Sequence, residues 1–251
     1  TRGRADAVRA QGEAETARGE TAVALGRARR ESDRNRQIGE YLQDAVSGSS
    51  TRDGRTQRLP LSEVVGRGRE LFGGDHAVIG SALLGWASAR QLTGDPAGAE
   101  PALIEAAAMF ARLHGPTDPR VTNARLLLAR AIAAQPGRES EAEVAFRAVA
   151  EAYRLDPGPV SADYAVALEA LTAHVLSRGG SGREDEIATL WSDTTSAYDS
   201  AFGPTDRRSI RELAQYGQWL QLNGRKDQAA AILEEAIRRG TASFPEGDPA
   251  L

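Results

Sequence analysis

The sequence predicts an all-α protein, a solenoid of about four helix pairs preceded by a long charged N-terminal helix. Three observations predict it. The tetrapeptide Gly-Pro-Thr-Asp occurs at Gly115–Asp118 and again at Gly203–Asp206, 88 residues on, or two units of 44. Ala99-Glu100 returns as Ala142-Glu143, 43 residues later, and Asp75 and Asp248 open similar stretches one unit outside the two tetrapeptides. Between these marks, apolar residues recur at helical spacing. A fixed period of this size is the signature of stacked supersecondary units.

Each element can be justified in turn. Residues 1–44 carry nine arginines against eight acids and few large apolar side chains. Glu13, Glu15 and Glu20 lie among Arg9, Arg18 and Arg27, where each helical ion pair contributes only ~0.2–0.5 kcal/mol. A solvated helix fits this polarity. Ala5, Val8, Ala22, Leu25 and Ala28 sketch the alternative, a weak coiled coil giving a homodimer. Ile38, Tyr41, Leu42 and Val46 share a face that could dock on the end of the solenoid. Ser47–Arg58 reads as a polar loop, and Pro60–Phe72 as a capping helix left through Gly73-Gly74.

The first full pair places Val78, Ile79, Ala82, Leu83, Trp86 and Ala87 on one helix. Thr93-Gly94-Asp95-Pro96 then stops it. Ala99, Ala102, Leu103, Ala106, Phe110 and Leu113 line the second helix. Later helices are predicted near Val121–Ala134 and Glu139–Arg154, then in a divergent third unit from about Val160 to Phe202, and in a fourth from Asp206 to Phe244. The implied organisation is 1–46, a charged helix; 47–73, loop and capping helix; and 74–251, repeats at about 74–117, 118–157, 158–205 and 206–247. The chain opens on Thr1 and closes where Asp248-Pro249 opens another unit, so it reads as a piece of a longer protein.

Composition removes several classes. The net charge is −4, whereas nucleic-acid binding needs a basic stripe. There is no cysteine, hence no disulfide or thiolate metal site. No run of 18 apolar residues is present for insertion into a membrane. Catalysis finds no constellation. Lys226 is the only lysine and lies in a turn, and Gly66-Arg67-Gly68 is followed by Leu71 where a phosphate loop needs glycine. No Gly-x-Ser-x-Gly elbow occurs. His76, His114 and His174 lack metal-ligand spacing, so neither metal nor cofactor is expected. Trp86, Trp191 and Trp219 could form an aromatic ligand site; Trp86 suits a core better, and Trp219 with Tyr216 is left open between the two.

The pattern resembles the tetratricopeptide repeat. Ala87, Gly94, Ala99, Leu103 and Ala106 match it in the first unit, and Leu213, Gly217, Leu220, Gly224, Ala229, Leu233 and Ala236 in the last. The Asp-His and Gly-Pro-Thr-Asp-Pro linkers are similar to those of the longer-period, kinesin-light-chain-like variety. The resemblance implies a right-handed solenoid whose first helices line a concave face and bind a peptide or protein ligand. Projected onto that face are Ser81, Ser88, Gln91, Asn123, Arg130, Glu169, Arg211, Gln218 and Gln221. The order of segments over Arg29–Phe72 also resembles the C-terminal sensor region of bacterial membrane serine/threonine protein kinases. That implies an extracytoplasmic sensor, non-catalytic in itself, with a kinase domain and membrane helix upstream. The alternatives are a tetratricopeptide adaptor of a cytoplasmic regulatory protein with no kinase, and an accessory domain serving as spacer or dimer interface.

Overall fold

The computed structural model describes residues 18–29, 31–33, 35, 36, 39, 61–155, 162–179 and 182–243. Among them there is no strand. Helical backbone runs over residues 18–29 (α1), where every side chain is exposed, Val23 and Leu25 included. Nine further helices follow among the described residues: α2 (Leu61–Phe72), α3 (Ala77–Leu92), α4 (Pro96–His114), α5 (Pro119–Ala133), α6 (Glu139–Leu155), α7 (Ala162–Ser177), α8 (Glu184–Phe202), α9 (Arg207–Leu222) and α10 (Lys226–Ser243). The readings of Ser47–Arg58 and of the Ile38–Val46 docking face fall outside the described residues, apart from Gly39.

The contacts divide the chain into two units, Thr1–Trp86 and Ala87–Leu251. In the first, Val64, Val65 and Ile79 are buried. Gly68 is the residue that lets α2 meet α3: a Cβ there would stand 3.0 Å from Ile79. The link between these helices is tied by Arg69 Nε donating to Asp75 Oδ1 at 2.7 Å, and by the His76 ring stacked on Phe72 at 4.0 Å.

In the second unit, helices pack in sequence order, α4 on α5 and so on to α9 on α10. The core is a strip between neighbours, running through Leu126, Ile132, Phe146, Val149, Leu171, Val175, Ile187 and Trp191 without a central hub. That is how a solenoid buries apolar surface. The turn glycines Gly94 and Gly224 have φ of 77° and 76°, the left-handed region that ends α3 and α9.

Proline and aspartate punctuate differently from the sequence reading at one point. Pro96 does not merely stop α3; it is the first residue of α4. Asp95 caps that helix, accepting from Gly98 N at 2.9 Å, and Pro has no N–H to lose at N1. Asp118 and Asp206 cap α5 and α9, accepting from Arg120 N and Arg208 N at 2.9 Å. Leu113 is a second correction. It lies in the last turn of α4 and is exposed rather than on the core face.

The linkers close on themselves. Asp118 takes both Nε and Nη2 of Arg120 at 2.8 Å, and the guanidinium lies 5.5 Å over the Phe110 ring. Asp206 takes Arg208 at 2.9 and 3.1 Å, with the guanidinium 3.2 Å over Phe202. Each arginine thus satisfies the capping carboxylate and covers a ring at the end of the preceding helix.

Successive pairs are also laced by charge. Glu100 on α4 accepts from Arg138 and Gln135. Glu143 on α6 accepts from Arg183 at 2.7 Å and Arg178 at 2.9 Å. Asp185 on α8 accepts from Arg225 at 3.2 Å. At the other end of α8, Asp199 accepts from Arg239 at 2.9 Å. The arginine stands each time in the turn of the following unit, except at Arg239, which is on α10.

Candidate functional site

The first helices α5, α7 and α9 carry most of the row projected from sequence. α5 places Arg130 and Ala133, α6 places Phe146, and α7 places Glu169, Ala170, Ala173, His174 and Ser177 around one cavity of about 460 Å³. Small-molecule and side-chain sites fall in this size range. The floor is apolar because alanine recurs where α7 faces α5. His174 is 8 % exposed, and its Nε2–H donates to the Glu139 carbonyl at 2.8 Å, which fixes the tautomer. Its ring lies 5.3 Å from that of Phe146.

The rim is charged. Arg130 is exposed, and its guanidinium has no ion-pair partner among the described residues. Glu169 is engaged on its far side: it accepts from the Tyr198 hydroxyl and from Arg211 Nη2, the latter at 3.1 Å. Arg211 also donates to Glu212 Oε1 at 3.0 Å. Glu212 is 1 % exposed, and burial pushes its carboxyl above the ordinary range against the pull of Arg211. Burial and the bond to Glu169 push the Tyr198 phenol up as well.

Of the projected residues, the structure brings together Arg130 and Glu169 in the cavity, with Arg211 joined to Glu169. It does not bring the others there. Gln91 donates its amide to the Leu127 carbonyl at 3.3 Å, bridging α3 and α5. Ser88 is half-buried, while Asn123, Gln218 and Gln221 are exposed on their helices outside the cavity lining. Ser81 is exposed on α3. Sequence reasoning missed Phe146 and the alanine floor, although Ala170, Ala173, His174 and Ser177 recur at helical spacing and could have flagged the face. It also missed Tyr198 and Glu212, which sit among buried residues and give no surface signal.

Trp86 is 5 % and Trp191 4 % exposed, both in the core. Trp191, Tyr216 and Trp219 form a stacked series at 5.9 and 6.3 Å, so the open pair belongs to packing between α8 and α9. Among the described residues no cluster of His, Asp and Glu is arranged for a metal ion, and no helix is long and apolar enough to cross a membrane.

Solved structures share this architecture. One is a Podosopora anserina protein named for kinesin light chain and built of nearly identical TPR-like repeats. It aligns at 17 % identity with a TM-score of 0.58, over 84 % of this chain and 94 % of that one. The same protein with one Gln-to-Met substitution aligns with the same values. The fold is a TPR-like α-solenoid. No known family profile matches the sequence, and no curated protein does. The fold class predicted from the period therefore stands.

Proposed function

We propose that the chain is a sensor module that binds a peptide or protein ligand along α5, α7 and α9. The observation that carries the reading is the cavity in which the unanswered guanidinium of Arg130 stands over an apolar floor of Ala133, Ala170, Ala173 and Phe146. A buried anchor beside a charged rim is how interaction sites concentrate binding energy. Ser88, Gln91, Asn123, Gln218 and Gln221 extend the polar row on either side. We further propose, from the order of segments over Arg29–Phe72, that the module is the extracytoplasmic part of a bacterial serine/threonine protein kinase. An adaptor without a kinase would use the same groove.

The test begins with peptides selected from a displayed random library on the wild-type chain. Arg130→Glu should weaken them roughly tenfold or more. Arg130 is the clean probe because it holds nothing else, whereas removing Arg211 would strand Glu212. Selected peptides that bind Arg130→Glu unchanged would overturn the groove. The kinase placement is tested in the parent gene, by a membrane-spanning segment and a kinase domain upstream of Thr1. Dimerisation through the N-terminal helix is tested by sedimentation with and without residues 1–44.

A further inference from the structure

The turn after α9 holds the chain's single Asn-Gly step, Asn223-Gly224. The backbone nitrogen that follows an asparagine can attack the side-chain carboxamide carbon, and glycine hinders that attack least because it has no Cβ. Asn35 and Asn123 are followed by Arg36 and Ala124, whose side chains crowd the same nitrogen. Asn223 and Gly224 are both exposed, so water reaches the step.

The fold holds this step closed. Gly224, at φ 76°, ends α9 in a Schellman motif: its N–H donates to the Gln221 carbonyl at 3.2 Å, and the Arg225 N–H donates to the Leu220 carbonyl at 3.0 Å. The attacking nitrogen is thus occupied. The carboxamide is held as well, because Asn223 Nδ2 donates to the Trp219 carbonyl at 2.8 Å. Asn223 sits at φ −94° and ψ 16°. A ψ near zero places the Gly224 nitrogen beside the residue's own nitrogen and away from Cβ, so a five-membered ring cannot close without rotation about Cα–C. The turn after α3 is built alike, with Gly94 donating to Gln91 at 3.0 Å and Asp95 to Arg90 at 2.9 Å, but Thr93 stands there in the place of Asn223 and offers no carboxamide.

We propose that Asn223 is a deamidation site gated by the end of α9, converting only when the last turn opens. In the opened turn the Gly224 nitrogen bonds to Asn223 Cγ, the Cγ–Nδ2 bond breaks, and the Gly224 proton leaves with the amide as ammonia. Water then opens either C–N bond of the cyclic imide, giving an aspartate or an isoaspartate. Either product loosens the turn. A carboxylate loses the donor to the Trp219 carbonyl and sets negative charge at the C-terminal end of α9, where the helix dipole disfavours it. Isoaspartate adds a backbone carbon before Gly224, which breaks the register of the Arg225 bond to Leu220. Arg225 ties this turn to Asp185 of α8 at 3.2 Å, so the change falls on a joint between successive pairs, apart from the groove at Arg130.

The test incubates the full chain beside a synthetic peptide of residues 216–230 at neutral pH. Mass spectrometry reads the amide-to-acid gain, and carboxyl-methyltransferase labelling reads isoaspartate. The peptide should convert, and the folded chain should convert roughly tenfold or more slowly, since only the opened fraction reacts. Arg225→Pro removes the N–H that closes on Leu220 and leaves the Asn-Gly step intact. Normalised to a peptide with the same change, it should speed conversion in the chain roughly threefold or more, with far-UV circular dichroism checking that the chain is folded. Urea below the unfolding transition should speed the wild type likewise, which decides the matter should Arg225→Pro not fold. Conversion of the folded wild type as fast as the peptide would overturn the gate. So would a folded Arg225→Pro chain no faster than wild type, or no acceleration in urea. Conversion at Asn123 ahead of Asn223, or none in the peptide, would overturn the site.

Discussion

Glu143 is the most connected acid between pairs, and replacing it tests whether charge lacing holds the stack. Its carboxylate accepts two bonds from Arg183, at 2.7 and 3.1 Å, one from Arg178 at 2.9 Å and two from Arg147 at 2.9 and 3.3 Å. The side chain is 14 % exposed, but the arginines are 28–44 % exposed, so each pair is worth less than a buried one. Exposed pairs contribute ~0.2–1 kcal/mol. Three at the upper middle of that range give about 2 kcal/mol for Glu143→Ala. Arg147 and Arg183 still keep Glu186 after the change, and Arg178 keeps Ser140, which limits the loss to this figure. For a unit of this size the melting temperature should fall by roughly 4–8 °C at pH 7.

The pH dependence fixes the cause. The arginine bonds, that of Arg183 first, hold the Glu143 carboxyl at about 2, below its ordinary value of 4.5. The stabilisation is therefore present in full above about 4.5 and is lost as pH falls towards 2. Thermal unfolding followed by circular dichroism, for wild type and Glu143→Gln, should show a gap at pH 7 that narrows steadily below about pH 4.5 and is much smaller by about pH 2.5. The gap should also narrow in high salt. A gap as wide at pH 2.5 as at pH 7, or none at pH 7, would refute the reasoning.

Three other outcomes are expected. Leu103→Ala, at a fully buried site, should destabilise by about 2–5 kcal/mol, read from denaturant unfolding. Glu212→Gln should not lower the melting temperature at pH 7, because burial already disfavours the charged form and the amide can still accept from Arg211. The difference should shrink as pH falls and the wild-type carboxyl takes up a proton. Gly94→Ala, at φ 77°, should cost about 1–2 kcal/mol although the space around it is open, so the loss measured by calorimetry is one of backbone strain alone.

The repeat was legible because glycine, proline and aspartate mark the turns at a fixed interval, and helical faces follow from apolar spacing. Pro96 was misread because a proline after glycine looks the same as a stop and as a first helical residue. The capping oxygen of Asp95 decides between them, and that is a matter of geometry. Part of the cavity lining was legible too. Arg130 and Glu169 lie on the faces of first helices, and both line the one cavity. Arg211 projects to the same row, yet its guanidinium turns to Glu169 and Glu212, partners at separations of 42 and 1 that no periodicity predicts. The cross-unit pairs at 38–40 residues were missed for the same reason: a period tells which helices are neighbours and not how far round each a long side chain reaches.

The self-closing linkers have a consequence for how such a chain can grow. Phe110, Asp118 and Arg120 form one contact set, and Phe202, Asp206 and Arg208 another, each lying within a dozen residues of sequence. A join made at either Gly-Pro-Thr-Asp carries its own cap, its own counter-charge and its own ring cover. The 88-residue stretch between them can therefore be copied or removed as a cassette whose seams arrive already folded, and only the facing side chains of the new neighbours have to adapt.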